Sequence, residues 1–188
     1  MNQRIRKGII AFSFLLVTAP LLAQDKYFTK SGSIGFVSKG NIETIQANHR
    51  SVTCVLDSRT GALQFAVLMK GFEFKKALMQ EHFNENYVES DKYPKAEFRG
   101  QVVNNSDIAY TKDGEYKAHV KGKLTLHGQT KDVEADGKIN VKNGKLVANS
   151  VFTILMSDYN ISIPNLVKEN MSNTVTITVN CTLDPLKS

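Results

Sequence analysis

Several patterns that catalysis or nucleic-acid binding would need are missing from this 188-residue chain. The four histidines, at positions 49, 82, 119 and 127, show no HxxxH or HExxH spacing, which removes a helical metal-protease site. The two cysteines, Cys54 and Cys181, form no CxxC and have no second thiol pair beside them. Serines are scattered without a GxSxG elbow, no glycine-rich phosphate loop occurs, and Asp158 has no identifiable partner with which to act as a catalytic acid. These absences point to a protein that is not an enzyme and carries no metal and no cofactor. Lys and Arg are interspersed with acids and never form a block, so there is no nucleic-acid footprint either.

One long apolar run is present, and it is N-terminal. Arg4, Arg6 and Lys7 precede Gly8 to Leu22, and Ala23 follows. A basic start, an apolar middle and a small residue at the end read as a secretory signal over residues 1–23. The run falls short of the roughly 20 residues a membrane span needs, so no stable span is expected once it is cleaved. The residue directly after Ala23 is Gln24 and not cysteine, which disfavours a lipoprotein. Cleavage would remove three of the 24 Lys+Arg and none of the 18 Asp+Glu, leaving 21 against 18, a net charge of +3. The expected location is periplasmic or secreted, a setting that permits disulfides. Cys54 and Cys181 both fall on the inward face of expected strands; they are either bridged or a pair of buried thiols acting as small apolar residues.

Residues 24–188 read as one domain built of strands. Ile34 and Phe36 share a face; Val52, Cys54 and Leu56 share another; Leu63, Phe65, Val67 and Met69 continue the alternation. Gly40 to Arg50 is polar and reads as a connection. Asp57 to Gly61 is a turn by composition. Glu115 to Leu126 alternates without a break, His127-Gly128 turns the chain, and Val133 to Val141 returns. Asn143-Gly144 is the best hairpin signal present. Leu146 to Met156 and Val175 to Leu183 complete about eight strands at hairpin spacing, the pattern of an all-β antiparallel up-and-down barrel, with a two-sheet sandwich as the other arrangement. Small inward residues, Gly100, Ala118, Gly122, Ala135 and Gly137, leave room inside.

Phe72 to Phe98 interrupts the strands. Leu78, Met79, His82 and Phe83 stand at helical spacing, which predicts a short helix beginning near Lys75 and capping one barrel end. Pro94 then returns the chain to an extended course.

Three segments resemble the YceI-like family of exported isoprenoid- and lipid-binding proteins. They are EHFNENYVESDKYPKAEF (Glu81 to Phe98), GKLTLHGQTKDV (Gly122 to Val133) and ILMSDYNISIP (Ile154 to Pro164). The resemblance implies a lipocalin-like barrel whose apolar tunnel takes an isoprenoid, a fatty lipid or another long-chain amphiphile. The expected walls are Phe36, Phe65, Val67 and Met69 on early strands, Leu78, Met79, His82 and Phe83 on the cap, and Phe98, Leu124, Leu126, Phe152 and Ile154 on later strands. Lys75, Lys76 and Lys131 are the expected partners of an anionic headgroup. Tyr159 to Met171 reads either as a lid or as a packed surface loop. The competing function is a ligand-free interaction module of the cell envelope with a solidly packed barrel. Nothing in the sequence fixes whether two chains pair.

Overall fold

The computed structural model describes residues 25–41, 44–163 and 172–186. The expected signal segment and most of the expected lid, residues 164–171, lie outside the described residues. The elements are β1 (Lys26–Lys39), β2 (Thr44–Asp57), β3 (Ala62–Leu68), β4 (Glu73–Phe74), α1 (Ala77–His82), β5 (Lys95–Val102), β6 (Gly114–Leu126), β7 (Gln129–Lys142), β8 (Lys145–Leu155) and β9 (Thr174–Pro185). Around the sheet the order is β1-β9-β8-β7-β6-β5-β3-β2, and β1 pairs with β2 to close the ring. With β4 set aside, strands that follow one another along the chain are sheet neighbours, all antiparallel, so the fold is an eight-stranded up-and-down barrel. The two-residue β4 stands aside, paired with Ala47 and Asn48 of β2.

The hairpin chemistry is as expected. His127 and Gly128 have φ of 50° and 72°, and Asn143 and Gly144 have 51° and 73°. Positive φ at both central residues matches the right-handed twist of the flanking strands. The 57–61 turn is held by Asp57 Oδ1, which accepts the backbone N–H of Arg59 and of Thr60.

One expectation is corrected. The polar stretch 40–50 contains the start of β2, which runs unbroken from Thr44 to Asp57. Ile45, Ala47 and His49 point inward there, but out of phase with Val52, Cys54 and Leu56. Two opposed bulges cause the change of phase. Ile34 pairs with His49 and Gly32 with Val52, so β2 gains a residue; Thr29 pairs with Cys54, so β1 gains one just after. Each extra N–H is taken by the side chain two residues earlier. Ser51 N–H donates to His49 Nδ1 at 3.0 Å, and Ser31 N–H donates to Thr29 Oγ1 at 3.2 Å. A bulge flips the inward face, so a strict period-2 reading fails across it.

His49 is therefore structural. Its Nδ1 accepts from Ser51, which leaves Nε2 as the protonated nitrogen, donating to Leu68 O at 3.0 Å. A Cβ on Gly71 would fall inside this ring, so position 71 holds glycine. Replacing His49 with alanine removes the partner of the Ser51 N–H and of the Leu68 carbonyl and empties the space of a buried ring. The expected loss is about 2–4 kcal/mol of unfolding free energy, read from the urea midpoint; a midpoint at the wild-type value would refute this role.

Candidate functional site

The inside of the barrel is not filled. A cavity of about 410 Å³ runs between two packed clusters. At one end Tyr27, Val102, Val141, Leu146 and Leu183 are nearly fully buried, and Tyr110 is brought over them by the 103–113 connection. Tyr110 donates its hydroxyl to Asn105 Oδ1 at 2.7 Å, and its carbonyl accepts from Tyr27 at 3.4 Å. Burial, followed by the neighbouring Tyr27, pushes the Tyr110 phenol up to about 12, so it stays neutral in the physiological range.

The other end lies under the cap. Phe36, Phe72, Phe74 and Phe83 pack ring on ring there, with Phe36 stacked on Phe83 at 5.4 Å and Phe74 against Phe83 at 5.1 Å. Phe72 closes against Phe36 at 5.3 Å and against His49 at 5.4 Å. A six-residue helix does not stand alone in water, so this aromatic contact fixes α1 and the π-type turn Phe83–Tyr87 that follows it. A second clamp comes from His127. Its Nδ1 lies 2.9 Å from Tyr159 O and its Nε2 2.7 Å from Glu89 Oε2, tying the β6–β7 turn to the cap and to the short helix Met156–Tyr159. The sequence reading of His127 as a turn residue was right but missed this second task.

Among the described residues the lining is apolar on every strand and contains no acidic residue; Ser38, His82, Tyr87, Lys138, Asn149 and Ser150 bring its few polar groups. Of the expected wall residues, Phe36, Phe65, Val67, Met69, Met79, His82, Phe83, Phe98, Leu124, Leu126, Phe152 and Ile154 all border the cavity. Leu78 does not. It is 60% exposed, because Met79 and Phe83 form the buried line of α1 and Leu78 stands about a hundred degrees around from Met79. His82 lies on the rim, exposed, and makes no hydrogen bond to any described residue.

Lys75 and Lys76 are exposed ahead of α1 and do not border the cavity. Lys131 is exposed too, but it pairs with the inward Leu124 and so sits in inner-face register on β7. The room expected at Gly100 and Gly122 is taken by the Phe98 ring, whose Cζ lies within 2.6 Å of where a Cβ on either glycine would stand. Ala118, Ala135 and Gly137 do leave space. Asp158 is exposed and does not border the cavity, so it shares no cleft with His82. Among the described residues no group of three His, Cys, Asp or Glu is placed to hold a metal ion.

Cys54 and Cys181 are buried free thiols in contact across β1. A hydrogen bond from Cys54 holds the Cys181 thiol below its usual range against burial, with the Ser33 N–H assisting. The same hydrogen bond, then burial, pushes Cys54 up. Gly32 makes room for the pair, since a Cβ there would lie 2.6 Å from Cys181 Sγ and 3.1 Å from Val52 O.

An eight-stranded closed barrel with an apolar interior defines the lipocalin-like class of binding folds. Within it, the chain belongs to the family of the YceI-like domain, whose model matches residues 27–183. Among solved structures it is similar to a polyisoprenoid binding domain from Saccharophagus degradans implicated in plant cell wall breakdown, at TM-score 0.74 and 14% identity over 86% of this chain and 99% of that one. BcnA of Burkholderia cenocepacia aligns at TM-score 0.66 and 16% identity, covering 81% and 95% of the two chains. The YceI protein of Campylobacter jejuni aligns at 0.59 and 18%, covering 79% and 88%. At these identities the likeness establishes a shared fold. No curated protein matches the chain.

The thiol contact gives a direct check. Gly32→Ala is expected to lower stability by about 1–3 kcal/mol through overpacking. Much of that loss should vanish in a Cys181→Ala background, which a double-mutant cycle of denaturant midpoints measures. Additive losses would mean that Gly32 is required for some other reason.

Proposed function

We propose that this protein binds a long-chain amphiphile, an isoprenoid or a fatty lipid, with the apolar chain inside the barrel, and carries or stores it in the cell envelope or outside the cell. The observation that carries the reading is the cavity itself. At about 410 Å³ it falls within the roughly 300–1,000 Å³ typical of small-molecule sites, and it is lined almost wholly by hydrocarbon. Burial of apolar surface contributes about 25 cal/mol per Å², so a chain held there needs few polar contacts. A lining without acidic residues among those described fits a ligand whose head is neutral or anionic, with His82 at one rim and Lys131 in inner-face register on β7 as candidate polar partners. Family membership and the likeness to a polyisoprenoid binding domain support the same class.

The packed interaction module would need a filled interior, and the cavity counts against it. Residues 1–23 support action beyond the cytoplasm, and the lack of a nucleophile with its base supports binding without turnover. No described helix is long and apolar enough to cross a membrane.

Organic extraction of the purified protein followed by mass spectrometry is expected to release a stoichiometric amphiphile, and the stripped protein to take up a fluorescent polyene fatty acid. Val120→Phe adds a ring to the cavity wall and should weaken uptake about tenfold while the fold persists. An empty extract together with no uptake by the stripped wild type would end the proposal.

A further inference from the structure

The barrel wall is not continuous. β7 and β8 pair from Lys142↔Lys145 up to Gly137↔Ser150, and there the ladder stops. Beyond it β7 continues against β6 as far as Gln129, and β8 continues against β9 as far as Leu155, but residues 129–136 and 151–155 have no ladder partner across the gap among the described residues. The seam ends sharply. Gly137 lies so close to β8 that a Cβ on it would stand 2.5 Å from Asn149 O, and Ser150 Oγ donates to Asp136 O at 2.7 Å as the last link. The far side is closed by the His127–Tyr159 hydrogen bond. Between these two points the five unpaired residues of β8, at about 3.3 Å each, leave a window about 15 Å tall.

A closed barrel normally has no edges, and unpaired edges are costly or risky when exposed. Here the cavity itself comes out at the window. Val133, Ala135, Phe152 and Ile154 line it from within, and it reaches Lys138 and Asn149, whose paired register places them on the outer face. On the outer side of β8 stand two exposed apolar residues, Val151 (60%) and Leu155 (41%). The ends of the barrel are poorer routes, since one is packed around Tyr27 and Tyr110 and the other is filled by four phenylalanine rings.

We propose that the window between β7 and β8 is the portal through which a long apolar chain enters and leaves the cavity sideways, while the α1 cap stays shut. The portal rests on the lipid-binding reading above. A linear chain passes through such a slit without any strand having to unpair, because among the described residues no ladder pairing crosses it. Passage at the cap would require four packed rings to separate.

Stapling separates the routes. Extending the β7–β8 register places Glu134 opposite Thr153 across the window, so Glu134→Cys/Thr153→Cys is joined with a short bismaleimide; the native thiols are buried and out of its reach. The control joins Asn48→Cys to Glu73→Cys, which pair in the sheet and pin the segment carrying the cap. Release of the polyene fatty acid is then followed by stopped flow. The window staple should slow release at least tenfold and the cap staple by less than twofold. Wild-type release with the window stapled, or slowing by the cap staple alone, would overturn the portal and leave the lipid reading intact. No uptake by unstapled protein would overturn both. Native-state hydrogen exchange on the unmodified chain gives a second test that needs no variant: window-facing amides of 129–136 and 151–155 should exchange far faster than those of the β6–β7 ladder, and equal protection would mean that no window exists in solution.

Discussion

The structure depends on β1 being hydrogen-bonded along both edges. The other pairings in the ring join strands close in sequence, apart from β3 and β5, which the cap segment 69–94 separates; only the β1–β9 ladder joins the two ends of the barrel chain and turns a meander into a barrel. That ladder is achieved with an irregular strand. β1 carries an extra residue between Thr29 and Gly32, and β2 answers with one between His49 and Val52, so the register is shifted and then restored. Bulges increase local twist and bend a strand, which a narrow closed barrel requires. The side chains around the two bulges follow from this. Thr29 and His49 take the extra N–H groups, Gly71 vacates the space of the His49 ring, and Gly32 vacates the space of Cys181.

Closure also explains why the interior is allowed to stay open. Folding a ring of strands buries their inward faces whether or not they touch across the middle, so the strands hold their own hydrogen bonds and the two end clusters supply the packing. A dry cavity of this size in a well-packed protein would cost on the order of several kcal/mol, a large share of ordinary domain stability. Small residues at Ala118, Ala135 and Gly137 keep the space where larger ones would have removed that cost. Occupancy by an apolar chain is the simplest way for such a wall to be stable, and it gives the folded protein a thermodynamic reason to bind.

Much of this was legible in the residues. The barrel followed from hairpin spacing and two-residue turns, signals that are local and strong at His127-Gly128 and Asn143-Gly144. The inward positions on the strands followed from period-2 alternation, which holds wherever a strand is regular, and Met79, His82 and Phe83 from helical spacing; that they form the wall of one tunnel was implied by the family resemblance. It failed at 44–50, since a bulge resets the inward face and an inward histidine looks polar when its two backbone partners cannot be seen. Leu78 was misplaced for a related reason: spacing shows which residues share a helix face but not where that face is centred. The second role of His127 was hidden because Glu89 and Tyr159 lie 38 and 32 residues away, and only the closed fold brings them together.

The missing part of the β7–β8 ladder was beyond sequence reading altogether. Both strands alternate as well there as anywhere, with Val133 and Ala135 on one side and Phe152 and Ile154 on the other. What separates them is a choice of partner. Past Ser150, β8 follows β9 toward the short helix at Met156–Tyr159, whose Met156 and Tyr159 turn into the core, while β7 follows β6 toward the turn at His127. The two hairpins diverge and rejoin at the short helix Met156–Tyr159, which β7 contacts and where His127 meets the Tyr159 carbonyl. The wall therefore opens where two locally satisfied hairpins have no reason to pair, whereas the cap is fixed by ring contacts on several sides.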